Sequence, residues 1–552
     1  MMKRGKLYGI LAAVLAGTML LAACDAAGVA STATAPAEAV EETAEAVEET
    51  AEAVEEAAEE TAEAVEEAAE ETAEAAAEEV WEGDIDEIKI LLIDERGNSQ
   101  SIGSIADAMN EITEKTIGVK ADIQVASFGD YNTQLSLMLS AGEGLDICSL
   151  AFGPTGFTSL VANGQVMDIT DLMDEYAPET VEMMGDYLNA YTVNGRQYAL
   201  PPYRNYASAN YLIMRKDLLE DIGYTEEQAR AIHTWSELED VYVKMAEAHP
   251  ELAPTAGVSG VTVLYTGEEF SDYEAFDSLG DGFGAVYTDT EGNVSWLPEN
   301  EDYVTTENLW RKWYDNKWMY QDMIITDDTS TEIMKAGGTF SFITISEMGV
   351  ETSKKEATGY EVIAVETSNN KISSQFVGKF GLAVPITAEE PEAAVRWLNA
   401  LYTDARLTNL LDWGIEGRDY VLLESGEAAF PEGVTSQNVE YHETDFFNGN
   451  YFLAHPWEGN GGNFRQEAYD YLMAAEISPF LGFQADQSEI PNLMTQLSAV
   501  YEKWSKRIGC GGFNDEEFEA YKSEQKAAGV DDYLAAYQTQ LDAWKAAMAE
   551  NE

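Results

Sequence analysis

The sequence is poor in basic residues and in histidine. It carries 31 Lys+Arg against 102 Asp+Glu in 552 residues, which gives a formal net charge of −71. Proteins that bind nucleic acid or anionic membrane surfaces need clustered Lys and Arg to displace counterions, so this composition argues against both classes. The histidines show no metal-ligand spacing, and we predict no metal site and no cofactor. They are His233, His249, His442 and His455.

Cysteine is equally scarce, with three in the whole chain. Cys24 lies near the N-terminus, and Cys148 lies in an apolar run at 145–152 that has the character of a buried strand. An exported protein can form disulfides. We nevertheless expect Cys148 and Cys510 to be a small buried side chain and an isolated thiol rather than a bridge.

Two common catalytic motifs are also missing. The sequence contains neither a Gly-x-Ser-x-Gly nucleophile elbow nor a His-Glu-x-x-His metal motif. A glycoside hydrolase would need two carboxylates about 5–10 Å apart. With 102 acidic residues some pair is always available, so the sequence does not test that class. We predict a protein that is not an enzyme and keep a secreted glycan-degrading enzyme as an alternative.

The N-terminus has the features of a secretion signal. Residues 1–23 combine the basic stretch Lys3-Arg4-Gly5-Lys6 with an apolar run at 7–21, which is too short to span a bilayer comfortably. Leu21-Ala22-Ala23-Cys24 then matches the lipobox of bacterial lipoproteins. We predict cleavage before Cys24 and lipidation of its thiol, which would hold the protein on the extracellular face of the cell membrane. The alternative is an ordinary signal peptide that happens to precede a cysteine.

A low-complexity segment follows at residues 24–84. Its repeats of Thr-Ala-Glu-Ala-Val-Glu-Glu favour helix, but they place glutamates at i and i+4 with no lysine to offset them. One valine per repeat is too little apolar surface to drive a coiled coil. We expect a solvated, frayed helix or an extended tether. Residues 24–79 carry a charge of −20, and residues 80–552 carry −54.

The remainder alternates strand-like and helix-like segments. The order strand, helix, strand, helix, strand within 88–152 is typical of a mainly parallel α/β sheet. Later strands are predicted at 339–345 and 380–384, a helix from Pro391, and a largely helical C-terminus at 491–547 with a break at 509–512. Trp310, Trp313 and Tyr314 share one helix face and are predicted to be core, and Trp235 is predicted to be structural.

Several motifs resemble the extracellular solute-binding proteins of ABC importers, specifically the sugar-binding family 1 group of Gram-positive bacteria. The resemblance covers nearly all of residues 85–548, and it rests on the order and spacing of the motifs. The motifs are Tyr131-Asn-Thr-Gln-Leu-Ser-Leu-Met-Leu-Ser-Ala-Gly-Glu143 with Leu145-Asp-Ile147, Ala162-Asn-Gly-Gln-Val-Met-Asp168, Asn194-Gly-Arg-Gln-Tyr-Ala-Leu-Pro201, Tyr211-Leu-Ile-Met-Arg-Lys-Asp217 and Trp413-Gly-Ile-Glu-Gly-Arg-Asp-Tyr420. Residues 478–544 are similar to the C-terminal helical extension of a lipoprotein subgroup thought to take up oligosaccharides.

The resemblance implies a two-lobed α/β protein of the periplasmic-binding-protein-like (type II) fold, with a cleft between the lobes and extra C-terminal helices. Lobe one would comprise 85–202 plus 366–410, and lobe two 203–365 plus 411–552. The implied function is capture of a carbohydrate, as a monomer, for delivery to the transmembrane subunits of an ABC permease. A peptide or another solute as ligand, and a surface adhesin or sensor without an importer, are the alternatives.

Candidate ligand residues follow from two arguments. Ligands of open α/β sheets lie beyond the carboxyl ends of strands, which nominates the loops at 94–99, 128–131 and 152–155. A sugar also needs aromatic platforms beside planar polar groups. The candidates are Asp94, Glu95, Arg96, Phe128, Tyr131, Phe152, Tyr203, Arg204, Asn205, Tyr206, Trp413 and Trp457. For each, packing in a turn or under a loop is the competing interpretation.

Overall fold

The computed structural model describes residues 80–94, 101–150, 156–259, 263–374, 376–436, 438–486 and 490–551. The main strands are β1 (Asp86–Asp94), β2 (Val119–Ser127), β3 (Ile147–Leu150), β4 (Ala199–Leu200), β5 (Ala209–Arg215), β6 (Ala253–Ser259), β7 (Thr339–Ser346), β8 (Val362–Glu366) and β9 (Gly381–Ala383). The helices are α1 (Ile102–Thr116), α2 (Phe128–Ala141), α3 (Phe157–Ala162), α4 (Thr170–Tyr176), α5 (Pro178–Met184), α6 (Lys216–Asp221), α7 (Glu226–Arg230), α8 (Trp235–Ala248), α9 (Glu301–Asp315), α10 (Ser330–Lys335), α11 (Val350–Thr358), α12 (Pro391–Thr403), α13 (Ala405–Asp412), α14 (Phe464–Met473), α15 (Pro491–Gly509), α16 (Asp515–Ala527) and α17 (Val530–Asn551).

The first sheet has the strand order β2-β1-β3-β9-β4. β1 runs parallel to β2 and β3, while β9 is antiparallel to both β3 and β4. Ile90 and Leu92 of β1 pack into the core on one face, and Leu91 and Ile93 pack into the core on the other. A strand buried on both faces is the pattern expected when helices cover both sides of a sheet.

The second sheet has the order β8-β5-β7-β6. β5 is antiparallel to β7 and β8, and β7 is parallel to β6. All seven residues of β5 are buried. The three strands predicted within 88–152 are parallel to one another, as the pattern indicated, and the later strands make both sheets mixed. Strand periodicity carries no information on the direction of those later strands.

Most predicted elements are present. The strands and helices predicted within 88–152 are β1, α1, β2, α2 and β3, and β7, β9 and α12 are also found where they were predicted. Trp235, Trp310 and Trp313 are buried in one core cluster, as expected. Cys148 is buried in β3, and Cys510 is a second buried free thiol.

The C-terminal helices α15 to α17 pack on the side of the second sheet. Tyr533, Tyr537 and Leu541 of α17 form a core with Val286 and Trp296, which belong to a hairpin in the long connection between β6 and β7. The predicted break lies between α15 and α16. Asn514 then begins α16 with a reciprocal capping box to Glu517. In the part of the chain that the structure describes, no helix has both the length and the apolar character needed to cross a bilayer.

The predicted lobe boundary at residue 411 differs from the structure. Leu411, Tyr441 and Leu472 were assigned to lobe two, yet they pack in the core under the first sheet. The reason is local. α13 begins directly after Asp404, which also ends α12, and Leu407 and Leu411 extend the apolar face that α12 lays on that core.

Candidate functional site

In both sheets, the edge formed by the carboxyl ends of the parallel strands faces the segments that connect the two sheets. β1, β2 and β3 end at Asp94, Ser127 and Leu150, and β7 and β8 end at Ser346 and Glu366. Two connections, at 201–208 and 367–380, link these carboxyl edges because β4 is parallel to β3 and β5 starts at the edge where β7 and β8 end. The carboxyl edge of an open α/β sheet is where ligands bind, so the cleft between the edges is the candidate site.

A buried ion pair lies in this cleft. Arg204 belongs to the first connection, and its Nη1 donates to Oε1 of Glu347 at 3.3 Å and to the Asn205 carbonyl at 3.2 Å. The Arg204 side chain is 4% exposed, whereas Glu347, which follows β7, is 42% exposed. The Arg204 Nε–H is buried and has no partner within the described protein. A buried donor without an acceptor is costly, and a ligand hydroxyl at this position would relieve the cost.

Charges around the ion pair are balanced. Burial raises the pKa of the Glu347 carboxyl, an effect that Arg204 partly offsets. Behind it, Arg465 pairs with Asp445 and stacks on the Tyr451 ring, with the guanidinium carbon 3.8 Å from the ring centroid. Burial acts to lower the pKa of Arg465, but Asp445 more than compensates, and the net pKa is raised. Each of the two guanidinium groups is thus paired with a carboxylate, and burial raises the pKa of the neighbouring Asp412 carboxyl well above its usual value. The site carries no excess of positive charge, which suits a neutral ligand better than an anionic one.

Exposed aromatic rings flank the ion pair. Phe446 is 36% exposed, and the Arg204 guanidinium carbon lies 5.5 Å from the centroid of its ring. Phe128, at the first position of α2, is 40% exposed. Both rest on the buried Phe447, whose ring centroid is 5.8 Å from that of Phe128 and 6.5 Å from that of Phe446. Apolar ring faces beside charged donors and acceptors match the two surfaces of a sugar.

The residues around Arg204 shape the connection. Tyr203 and Tyr206 are buried in the core, and the Tyr206 hydroxyl donates to the carbonyl of Pro202. The Asn205 side-chain oxygen accepts from the amide of Ala207 at 3.0 Å, which closes a tight turn. Of the four predicted residues in this segment, Arg204 reaches the cleft, while Tyr203, Asn205 and Tyr206 hold the backbone that carries it.

Tyr131 is a core residue, contrary to the prediction that it binds ligand. Its side chain is fully buried, and its hydroxyl donates to the Ser149 carbonyl at 2.6 Å. It lies one turn into α2, on the helix face that packs against the sheet. Asp94 ends β1 and is partly buried. Glu95, Arg96, Phe152 and the predicted lipidation site Cys24 lie outside the described residues.

Trp413 was also predicted as a stacking platform, and the structure buries it. Its ring is 2% exposed and its indole N–H donates to the His455 carbonyl at 3.1 Å. Trp457 stacks on it at 5.1 Å with an interplanar angle of 8°. Phe430 contacts Trp457 edge-on at 4.8 Å, and Trp457 is partly buried. The two tryptophans therefore pack on each other under the loop.

Sequence reasoning missed Glu347, Asp445, Phe446 and Tyr451. The segment 441–451 carries a signal, because it places acids and aromatics next to Asn448-Gly449-Asn450 in a loop-like composition. Glu347 offers no such signal, since it is one acid among many. Among the described residues, no group of three or more His, Cys, Asp or Glu side chains could hold a metal ion.

The chain is similar to known proteins over most of its length. The family model for bacterial extracellular solute-binding proteins matches residues 107–415. A domain of unknown function (DUF3502) matches residues 479–546, which hold α15 to α17. A carbohydrate ABC transporter substrate-binding protein of Streptococcus pneumoniae is 23% identical over 410 residues, covering 73% of this chain and 79% of that protein.

Solved structures share the fold. The crystal structure of an N-glycan transport solute binding protein from Streptococcus pneumoniae aligns with a TM-score of 0.67 and 21% identity, over 83% of this chain and 98% of that one. An HMO binding, ABC-transporter associated solute binding protein from Bifidobacterium longum infantis aligns with a TM-score of 0.57 and 15% identity, over 84% and 99%. Since the family model covers more than half of the chain, this chain belongs to the bacterial extracellular solute-binding proteins.

Proposed function

We propose that this protein captures an oligosaccharide in the cleft between its two sheets and delivers it to an ABC permease. The observation that carries the proposal is the unpartnered Nε–H of Arg204, which lies in the cleft beside the exposed ring of Phe446. A sugar presents hydroxyls to such a donor and C–H groups to such a ring. The electrically balanced surroundings favour a neutral ligand over a polyanionic one.

The names of the relatives support a carbohydrate. One curated relative is a carbohydrate transporter component, and two structural relatives are described by N-glycan transport and by HMO binding. These ligands differ from one another, so the proposal for this chain is limited to the class of oligosaccharides. Ligand would act by favouring the closed arrangement of the lobes, to the extent that it binds that arrangement more tightly.

Delivery requires that the protein stays near its permease. We propose that acyl chains on Cys24 anchor it to the outer face of the membrane, and that residues 24–84 form the tether between the anchor and the binding body. In this proposal lobe one is built on 85–202 plus 366–410, with 411–472 packed on the same core. Lobe two is built on 203–365 and carries the C-terminal helices.

The proposal is tested by a thermal-shift screen of the purified chain. Ligand that binds only the native state raises the melting temperature. N-glycan fragments, fructo-oligosaccharides and short peptides are compared at equal concentration. We expect a glycan to raise the melting temperature and peptides to leave it unchanged. A rise with peptides alone would replace the oligosaccharide by a peptide as the ligand.

Two further measurements address the transport role. Incubation with the glycan that binds should release no reducing ends, and their release would instead indicate a glycan-degrading enzyme. Cys24→Ala should move the protein from the membrane fraction to the medium. Membrane retention of this variant would contradict the lipid anchor while leaving the ligand assignment untouched.

A further inference from the structure

The C-terminal helices are held closely against lobe two. Gly511 has a φ of +72°, and a Cβ at this position would lie 2.3 Å from the backbone nitrogen of Arg311 in α9. Only glycine at position 511 therefore allows the turn after α15 to pack this closely against α9. Farther along, the Trp296 indole N–H donates to Oε1 of Gln525 in α16 at 2.7 Å, and Arg311 pairs with Asp515 at 2.5 Å.

A pocket of about 340 Å³ remains between α9, α15 and α16 despite these contacts. Its walls are mostly aromatic and apolar, with Tyr303 and Trp310 from α9, Tyr501 and Ile508 from α15, and Tyr521 from α16. One water needs only ~10–15 Å³ of such space. The pocket is thus large enough for a small organic molecule, and it is separate from the cleft residues Arg204 and Glu347.

A carboxylate with one unpartnered oxygen lines this pocket, and the Tyr303 hydroxyl one turn away on α9 is its single hydrogen-bond donor among the described residues. Glu307 is 7% exposed, and its Oε2 atom accepts no hydrogen bond within the described protein. Burial raises the pKa of its carboxyl to about 8. An unpaired charge in such surroundings is strongly unfavourable unless a cation or donors compensate it.

The neighbouring cations are engaged elsewhere. Nη1 of Arg507 donates to Glu517 at 3.0 Å and to the Gly512 carbonyl at 3.2 Å. Lys506 pairs with Asp327. The pocket therefore presents one buried acid, several aromatic faces and no base, which is the combination that recognises ammonium groups.

We propose that this pocket binds a small organic cation carrying an ammonium group, with Glu307 as its counter-ion and Tyr303, Trp310 and Tyr501 as the aromatic walls. A hard metal ion is a poorer match, because it needs several oxygen ligands and no group of three or more His, Cys, Asp or Glu side chains is found within the described ranges. The proposal gives residues 479–546, matched by a domain of unknown function, a ligand-binding role together with α9.

A neighbouring pocket and the net charge of the protein are both compatible with a cationic ligand. A second pocket of about 450 Å³ shares Val258, Ser505 and Gly509 with the first and is lined by Asp327 and Asp328. Residues 80–552 carry a net charge of −54. A negative field of this kind raises the local concentration of cations around the protein.

The test is calorimetric and thermal titration of the full chain with choline chloride and with tetramethylammonium chloride, against sodium chloride at equal ionic strength. We expect both ammonium salts to raise the melting temperature beyond the sodium control. Glu307→Gln, which keeps the side-chain shape, should weaken the affinity at least ~10-fold by removing the charge. Glu301→Gln is the matched control, since Glu301 is an exposed acid on the same helix.

A second variant and the pH dependence of the affinity distinguish lost ligand binding from misfolding of Glu307→Gln. Tyr501→Ala, at a ring that is 40% exposed, should weaken the affinity about 5-fold without unfolding the protein. Affinity should rise between pH 6 and pH 9 as Glu307 ionises. The other titratable groups near Glu307 are Tyr303, Tyr501, Tyr521 and Cys510. Burial raises the pKa of Tyr303 and Tyr521, and it raises the pKa of Cys510 to about 11. Arg507 stays paired with Glu517.

Equal ammonium affinity of Glu307→Gln and the wild type would overturn the proposal, as would a melting temperature that responds to the ammonium salts no more than to sodium. The pocket would then hold only water. The proposal does not rest on oligosaccharide binding. Glycan affinity at the cleft should be the same in Glu307→Gln and the wild type, so the two proposals fail separately.

Discussion

Two groups of aromatic side chains have similar neighbours in the sequence but differ in their exposure to solvent in the structure. Trp413 and Trp457 stack on each other at 5.1 Å, and Trp413 has almost no exposed surface. Phe128 and Phe446 rest on a buried phenylalanine and keep more than a third of their surface exposed, and Phe446 lies beside Arg204. Both groups lie in segments rich in Gly, Asn or Asp. The difference teaches that such a segment offers a ring to a ligand only where tertiary packing leaves that ring uncovered.

The largest expected effect is on the packed pair. Trp413→Ala should lower the free energy of unfolding by about 3–5 kcal/mol, because it removes a buried ring and leaves a cavity under the loop. Denaturant titration measures the change. Glycan affinity of the folded fraction should stay unchanged. Lost affinity with intact stability would make Trp413 a ligand platform and would remove the contrast between the two groups.

Arg204 should differ from Trp413 because its loss weakens glycan binding, in addition to the stability lost with the Glu347 ion pair. Arg204→Met keeps much of the side-chain length and removes the donors, so glycan affinity should fall about 10- to 100-fold, as for a lost charged hydrogen bond. Isothermal titration with the glycan identified by screening measures it. Arg230→Met is the control, because Arg230 pairs with Glu351 on an exposed surface. Unchanged affinity in Arg204→Met would contradict the placement of the ligand.

Phe446 and Phe447 give the sharpest matched comparison. Phe446→Ala should weaken glycan binding about 3- to 10-fold, the usual value of an aromatic contact, with little loss of stability. Phe447→Ala, at a neighbour that is 2% exposed, should instead lower the unfolding midpoint. The two variants are compared by the same titration and the same denaturation curve. A loss of stability in both would show that Phe446 is part of the core.

The smallest effect is expected at the edge of the cleft. Phe128→Ala should reduce glycan affinity by about 3-fold or less, since its ring lies next to the ligand space without a charged neighbour. Leu137→Ala on the same helix is the control, because its side chain is 65% exposed and lies two turns farther along. A 10-fold loss at Phe128 would make it a principal platform and would require a longer ligand that spans both rings.

Much of the fold could be predicted, and the prediction of the site was only partly right. The apolar run at 88–93 identified β1, and the spacing of Ile105, Met109 and Thr113 gives α1 its buried face. These features are local, because they depend on the apolar pattern of a short segment. The parallel direction of β1, β2 and β3 was predicted, whereas the direction of the later strands and the packing of 411–472 on the first core were not, since both depend on contacts between distant residues.

The predicted site residues also differ in how far they depend on contacts between distant segments. Arg204 was predicted from a cluster of polar and aromatic residues at a connection; it pairs with Glu347, and its contact with ligand stays a prediction. Tyr131 and Trp413 were predicted from residue type and loop position, and both are buried. Glu347 was not predicted, because nothing near it in the chain distinguishes it from the other acidic residues; only the pairing of β7 with β5 brings it to Arg204.

The sequence by itself determined the class of protein. The deficit of basic residues argues against nucleic-acid binding, and the apolar periodicity predicts an α/β fold, because charge and apolar spacing are properties of the chain alone. The motif order adds the resemblance to the solute-binding proteins. The tertiary structure decided which rings are exposed, which arginine keeps a free donor, and that Glu307 keeps an unpartnered oxygen in a pocket lined by the C-terminal helices. Burial and pairing are produced by surfaces from distant segments, so no local pattern records them.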